Sequence, residues 1–187
     1  MFIHQTIKVI LLAGLLTCST PLFGESNPAT STKNLKKLEM GTISPLHRSD
    51  QIYLAGQPMQ TDFDLIQKTG VKTILNLRPM TEQRWDEGSY LKMLELDYIN
   101  IPFRAPDTLT PAVFDQCRKI LNDKSKHPVV VHCASANRVG AIWLTHRVLD
   151  DGISFDAALK EARQVGLKTP GYIERAKAYI AAQAKSE

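Results

Sequence analysis

One segment, residues 129–140, limits most what this chain can fold into. An apolar β-branched run, Val129 to Val131, ends in His132 and Cys133; small residues follow, and Arg138 closes the segment before a helical pattern begins. The run predicts a buried strand, and a strand that leads into a helix is typical of α/β folds. Between the two, a loop of small residues can turn its backbone N–H groups toward one point, which the positive end of the helix also faces. The segment therefore predicts an anion-binding loop.

Cys133 lies at the centre of this predicted loop. The N–H groups and the helix end favour the thiolate form of the side chain, which is the form that acts as a nucleophile. Arg138 would supply a planar fork for two anionic oxygens. The intervening residues would bind the anion mainly through their backbone N–H groups; they are Ala134, Ser135, Ala136 and Asn137. A buried structural cysteine is the alternative, but the order of histidine, small-residue loop, arginine and helix favours the nucleophile.

Strand and helix patterns alternate along the rest of the chain. The predicted strands are Ile52–Leu54, Lys72–Leu77, Tyr98–Ile101 and Val129–His132. The predicted helices are Thr61–Lys68, Thr81–Glu95, Pro111–Asp123, Val139–Asp150, Phe155–Val165 and Gly171–Ala184. This alternation predicts an α/β domain whose central sheet is mainly parallel, has about four to five strands and is flanked by helices. Ligands of such sheets bind beyond the carboxyl ends of the strands, which is where Cys133 lies.

The loop resembles the His-Cys-x5-Arg signature of the cysteine-dependent protein-tyrosine and dual-specificity phosphatases. Upstream, residues 52–58 and 62–79 resemble the opening of the atypical dual-specificity phosphatases of plants and fungi. They are closer still to a group of small bacterial phosphatase-like proteins often described as sulfurtransferases. The likeness covers about residues 46–170. It implies a dual-specificity-phosphatase-like fold and hydrolysis of a phosphate monoester through a cysteinyl-phosphate on Cys133, with no metal or organic cofactor.

The loop departs from that signature in two ways. Four residues rather than five separate Cys133 from Arg138, and Val139 stands where the signature has the Ser or Thr that helps cysteine leave the phospho-enzyme. The shorter spacing also fits the rhodanese-type sulfurtransferase loop, Cys-x-x-Gly-x-Arg, with Ala136 at the glycine position. Three functions therefore stay open. An exported phosphatase is favoured; the others are a sulfurtransferase with a persulfide on Cys133 and a module that binds an oxyanion without turnover.

Three residues outside the loop complete the predicted site. By the resemblance, Asp107, on a loop 26 residues before Cys133, would protonate the leaving oxygen; an ordinary turn aspartate is the alternative. Arg78 follows a predicted strand and would either contact the substrate or pair with a carboxylate. The candidate partners for such a pair are Glu82, Asp86 and Glu87. His132 should point away from Cys133 and hold the loop by hydrogen bonds from the other face of the sheet.

The first residues of the chain differ in kind from the rest. Residues 1–24 have a mildly basic, then an apolar, then a small and polar part, the order of a secretory signal peptide. We expect cleavage after Gly24, a periplasmic or secreted protein, and no stable membrane insertion after cleavage. A membrane anchor and a lipid on Cys18 are the alternatives. Residues 25–45 predict a flexible linker, and residues 46–187 the catalytic domain.

Composition narrows the class of partner. The formal net charge of +4 is spread along the chain, which fits a small anionic substrate and does not indicate nucleic acid. The cysteines and histidines do not have metal-ligand spacing. Cys117 falls on an apolar helical stripe, which predicts a core cysteine rather than a disulfide with Cys133. The sequence leaves the substrate open among phosphorylated proteins, inositol phosphates, lipids and nucleotides, and leaves the oligomeric state open.

Overall fold

The computed structural model of the chain describes residues 34–185, together with Met1. The predicted signal peptide, apart from Met1, and residues 25–33 of the predicted linker lie outside the described residues. Among the described helices, none combines the length and the apolar character needed to cross a membrane.

A six-stranded sheet forms the centre of the fold. Its strands are β1 (Lys36–Lys37), β2 (Leu46–Ser49), β3 (Ile52–Ala55), β4 (Thr73–Asn76), β5 (Asp97–Asn100) and β6 (Val129–His132). They lie in the order β1-β2-β3-β6-β4-β5. Strands β3, β6, β4 and β5 run parallel to one another, while β2 pairs antiparallel with β3 and β1 pairs antiparallel with β2 at one edge. The α/β class and the mainly parallel sheet are confirmed. The two edge strands were not predicted, because they are short and carry Lys, His and Arg rather than a β-branched run.

Six α-helices within residues 34–185 flank the sheet. They are α1 (Gln60–Lys68), α2 (Glu87–Met93), α3 (Pro111–Asn122), α4 (Asn137–Leu149), α5 (Phe155–Val165) and α6 (Pro170–Gln183). The helix predicted over 81–95 is divided into a 3-10 turn at Met80–Glu82 and helix α2. The division arises because Gln83 is extended and Asp86 accepts a hydrogen bond from the Ser89 N–H (3.0 Å), which starts a new helix there.

The alternation of side chains along β6 decides which core each residue joins. Val129 and Val131 face one apolar core, which includes much of α4 and parts of α3, α5 and α6. Val130 faces the second core on the other side of the sheet, with residues of α1 and α2. The alternation continues past the strand, since Cys133 belongs to the first core while the His132 ring packs edge-on against Phe63 of the second.

The folded unit begins before residue 46, so the second half of the linker predicted over residues 25–45 is part of the folded domain. Strand β1 pairs with β2, and Ile43 is buried in the second core. Thr42 donates to the buried Asp62 carboxylate from both its backbone N–H (2.8 Å) and its hydroxyl (2.7 Å). The apolar residues of this stretch have no regular spacing, so no helix or strand period revealed that it is folded.

Candidate active site

The loop between β6 and α4 carries the predicted nucleophile. Cys133 directly follows β6, and α4 begins at Asn137, so the first N–H groups of α4 have no partner within the helix. Ala136 has a φ of 59°, the left-handed conformation that favours glycine, at the position where the rhodanese-type loop has its glycine. The Gln57 N–H donates to the Ala134 carbonyl (3.2 Å), and Gly56 forms a bridge with Ser135. The segment after β3 therefore supports one side of the loop.

Arg138 is held beside Cys133 by a dense set of acceptors. Its Nη1 and Nη2 donate to the two carboxylate oxygens of Glu82 at 3.2 and 2.7 Å, and Nη1 also donates to the Phe103 carbonyl at 2.9 Å. Burial alone would lower the pKa of Arg138, but the hydrogen bonds to Glu82 and the charge of Cys133 raise it. The structure thus brings together the cysteine and the arginine that the sequence predicted as partners, with both side chains largely buried.

Glu82 lies among three arginines, whereas the sequence predicts it only as a candidate partner of Arg78. Besides the paired hydrogen bonds from Arg138, its carboxylate is 3.6 Å from Nε of Arg78 and 3.8 Å from Nε of Arg104. Burial alone would raise the pKa of Glu82, but these arginines, Arg138 first, lower it. Arg78 also donates to the Gln57 side chain and the Glu82 carbonyl. The predicted pairing of Arg78 with a carboxylate is therefore present, with Glu82 as the partner, and contact of Arg78 with the substrate stays a prediction.

His132 lies behind the loop in a buried polar network that the sequence pattern does not predict. Its Nε2 is 2.9 Å from Oε1 of Glu87, which is 2% exposed and also accepts from Asn76 and Gln57, each at 2.9 Å. Burial would raise the pKa of Glu87, but His132, Gln57 and Arg78 lower it. The backbone N–H of Gln57 also donates to the Ala134 carbonyl in the loop. Glu87 therefore connects two residues that hold the loop, Gln57 and His132. The predicted orientation of His132, away from Cys133, agrees with this geometry.

Asp107 lies on the 3-10 turn Pro106–Thr108, beyond the carboxyl end of β5, and its side chain is exposed. The buried Tyr172 of α6 lies near Asp107, and its pKa responds to the charged groups around it. Burial raises the pKa of the Tyr172 hydroxyl, the charge of Arg138 lowers it, and the charges of Cys133, Glu82 and Asp107 raise it further. Asp107 is therefore within electrostatic range of the same tyrosine as Cys133 and Arg138, at the same edge of the sheet.

Cys117 does not take part in this arrangement. It is fully buried on α3, and burial raises the pKa of its thiol to about 12. Cys117 and Cys133 are both free thiols, so the core position predicted for Cys117 is confirmed. Across residues 34–185, no group of three or more His, Cys, Asp or Glu side chains is arranged to hold a metal ion.

The chain is similar in sequence to known proteins of two descriptions. No family model matches the chain. A beta-lactamase hydrolase-like protein from Agrobacterium fabrum is 29% identical over 110 residues, which are 56% of this chain but only 25% of that protein. The dual specificity protein phosphatase TpbA from Pseudomonas aeruginosa is 23% identical over 177 residues, 93% of this chain and 79% of TpbA.

Solved structures agree on the fold. The crystal structure of TpbA superposes with a TM-score of 0.58 at 24% identity, over 73% of this chain and 83% of TpbA. The core catalytic domain of the PP-IP phosphatase SIW14 from S. cerevisiae gives a TM-score of 0.64 at 16% identity, over 81% of this chain and 93% of that domain. These similarities show that the chain shares the fold of the dual specificity phosphatase TpbA and of the SIW14 catalytic domain.

Proposed function

We propose that this protein is a cysteine-dependent phosphatase that hydrolyses a phosphate monoester through a cysteinyl-phosphate on Cys133. The observation that carries the proposal is the position of Cys133 beside Arg138, in a loop that ends at the N-terminus of α4. The unpaired N–H groups of a helix start and an arginine are suited to a phosphate dianion. The relatives TpbA and SIW14, both named as phosphatases, support the reaction class.

The hydrogen bonds of Arg138 leave one edge of its guanidinium group available. The group has five N–H donors. Glu82 accepts from Nη1 (3.2 Å) and Nη2 (2.7 Å), and the carbonyls of Phe103 (2.9 Å) and Leu77 (3.4 Å) accept from Nη1 as well. The remaining two, on Nε and Nη2, lie parallel on one edge of the fork, the geometry that binds two oxygens of one phosphate. Glu82 therefore holds Arg138 from behind without using the edge that the substrate needs.

The proposed reaction has two displacements. The Cys133 thiolate attacks phosphorus, and the bond to the leaving oxygen breaks as that oxygen takes the proton of Asp107. Arg138 and the loop N–H groups stabilise the charge on the three equatorial oxygens. The Asp107 carboxylate then removes a proton from water, the resulting oxygen attacks phosphorus, and the sulfur–phosphorus bond breaks to regenerate the thiolate.

Sulfur transfer is the second candidate, and the loop itself favours it. The four-residue spacing and the left-handed Ala136 both match a rhodanese-type loop. Assays of one preparation of the purified chain distinguish the two reactions. We expect hydrolysis of p-nitrophenyl phosphate, inhibition by vanadate as a mimic of the transition state, and negligible thiosulfate:cyanide sulfur transfer. Sulfur transfer without phosphate release would reverse the ranking, and retention of phosphate with neither activity would favour an oxyanion-binding module.

Replacing Asp107 by asparagine tests its role as the general acid. We expect turnover of an alkyl phosphate to fall about 10²–10⁴-fold, because a poor leaving oxygen needs a proton. Turnover of p-nitrophenyl phosphate should fall much less, since its leaving group departs as the anion. Asp156→Asn is the control, because Asp156 is an exposed carboxylate in the first turn of α5. Equal activity of Asp107→Asn and wild type on both substrates would remove Asp107 from the mechanism.

Export is part of the proposal and depends on residues 1–24, most of which lie outside the described residues. The order of basic, apolar and small polar residues supports cleavage after Gly24. N-terminal sequencing of the protein recovered from the periplasm or the medium should begin near Glu25. Recovery of the full-length chain from the cytosol alone would contradict export.

A further inference from the structure

The connection between α5 and α6 contacts the loop of residues 133–137 directly. We call these residues the nucleophile loop. We call residues 166–172, which are this connection and the first three residues of α6, the bridging segment. The side-chain carbonyl of Asn137, at the end of the nucleophile loop, accepts hydrogen bonds from the backbone N–H groups of Lys168 (2.8 Å) and Thr169 (3.2 Å). Its amide donates to the Thr169 hydroxyl at 2.7 Å. One side chain of the loop thus makes three hydrogen bonds to the bridging segment.

Backbone packing strengthens this contact at Gly166. The residue has a φ of 143°, and a Cβ added there would lie 2.9 Å from the Ser135 carbonyl oxygen and 3.2 Å from Cβ of Ala136. Only glycine allows both this conformation and this approach. The bridging segment therefore packs against the backbone of the nucleophile loop with no side chain between them.

The other end of the bridging segment holds the loop that carries Asp107. The Tyr172 hydroxyl donates to the Arg104 carbonyl at 2.6 Å, and the Tyr172 ring packs edge-on against Phe103 with centroids 5.6 Å apart. Gly171 lies so close to Pro106 that an added Cβ would be 2.7 Å from its Cγ. Tyr172 is only 4% exposed, so these contacts are shielded from water.

Hydrogen bonds within the loop that carries Asp107 connect Arg104, which Tyr172 holds, to the turn on which Asp107 lies. The Thr108 hydroxyl accepts from the N–H groups of Arg104 and Ala105 (both 3.1 Å) and donates to the Ala105 carbonyl (2.8 Å), which closes the turn onto Arg104. In the described part of the chain, no hydrogen bond or ion pair involves the Asp107 carboxylate. Its position therefore depends on the backbone, and the backbone is tied to Tyr172 through Arg104.

We propose that Tyr172 is a positioning residue for Asp107, and that the bridging segment keeps the Asp107 loop at a fixed place relative to the nucleophile loop. The inference deepens the proposed function and rests on it. Its consequence is that the general acid is in position before substrate binds, because both loops are bonded to one short segment. A tyrosine in this role acts through Asp107 and does not touch the reacting atoms.

The variant Tyr172→Phe tests the proposal, because it keeps the ring against Phe103 and removes only the hydroxyl that holds Arg104. A shift of the acid of the order of 1 Å should lower turnover of an alkyl phosphate by up to about a hundredfold, with less than about a twofold change for p-nitrophenyl phosphate. Tyr179→Phe is the matched control. It lies two turns further along α6, and its hydroxyl contacts Asp115 and Arg118 instead, so it should leave the ratio of the two rates unchanged.

A second single variant and a double mutant test whether the effect of Tyr172 acts through Asp107. Gly171→Ala should change the ratio in the same direction as Tyr172→Phe, because its methyl group presses on Pro106 while alanine suits the helix. In the Asp107→Asn background, Tyr172→Phe should have no further effect on alkyl phosphate turnover. An unchanged ratio in both folded variants, or a full additional loss in the Asp107→Asn background, would overturn the proposal. A wild-type protein that hydrolyses neither substrate would instead refute the proposed phosphatase, and this inference with it.

Discussion

Replacing Cys133 by serine should lower the turnover of p-nitrophenyl phosphate by at least about a thousandfold. A serine hydroxyl in the same place is protonated at neutral pH and is a far weaker nucleophile than a thiolate, while the rest of the anion site stays in place. Phosphate binding should therefore survive in the variant. Phosphate release under steady-state conditions measures the first effect, and the rise in melting temperature with added phosphate measures the second.

Cys117→Ser is the matched control for that experiment. Cys117 is fully buried, and the pKa of about 12 for its thiol keeps it protonated and unreactive. Its replacement should lower the melting temperature by placing a hydroxyl in an apolar core, but should leave turnover unchanged. Iodoacetate should inactivate the wild type by labelling Cys133, with protection by phosphate. Labelling of Cys117 together with full retention of activity would contradict the assignment of the nucleophile.

The nucleophile loop could be predicted from the sequence because its signals are local. A β-branched run, the pair His132 and Cys133, and a closing arginine all lie in one short stretch. The alternation of side chains from Val129 to Val131 determines which face of the sheet each residue contacts. The parallel sheet was predictable for the same reason, since each strand and helix carries its own period. The antiparallel edge was not predicted, because a two-residue strand such as β1 has no period to detect.

The supports of the site could not be predicted, because each depends on distant pairings. Glu82 meets Arg138 across 56 residues of sequence, Glu87 meets His132 across 45, and Tyr172 meets Arg104 across 68. Each of these carboxylates and hydroxyls looks like an ordinary surface residue in the sequence. The only local signal was the spacing of Arg78 and Glu82, four residues apart, and it indicated a surface pair rather than an arginine cluster.

Replacing Arg138 is the second change for which we expect a large loss of turnover. Arg138→Lys should lower turnover about 10²–10³-fold, because an ammonium group keeps the charge but loses the paired N–H donors that bind two phosphate oxygens. Glu82→Gln should have a smaller effect, up to about a hundredfold, since it leaves the fork in place but weakens what orients it. Steady-state rates with p-nitrophenyl phosphate at fixed ionic strength measure both variants.

The pair formed by Arg118 and Asp150 at the far end of α4 is the matched control. It is also a two-pronged arginine–carboxylate contact, at 2.8 Å for both bonds, but roughly 20 Å along α4 from the nucleophile loop. Asp150→Asn should lower the melting temperature and leave turnover unchanged. If Asp150→Asn and Glu82→Gln lowered turnover equally, the effect of Glu82 would come from stability rather than from the orientation of Arg138.

The pH dependence of the contact between Glu82 and Arg138 follows from the lowered pKa of Glu82. A carboxyl with a lowered pKa in the folded protein contributes stability above its ordinary range, and that contribution is lost as the pH falls through the lowered value. Glu82 should therefore hold Arg138 throughout the neutral and mildly acidic range, and any acid loss of activity above pH ~5 should come from other groups. Glu82→Gln should accordingly lower the height of the pH–rate profile in that range without moving its acid limb. A shift of that limb in Glu82→Gln would show that Glu82 itself titrates during turnover, contrary to the lowered pKa that its hydrogen bonds from both Nη groups of Arg138 give it.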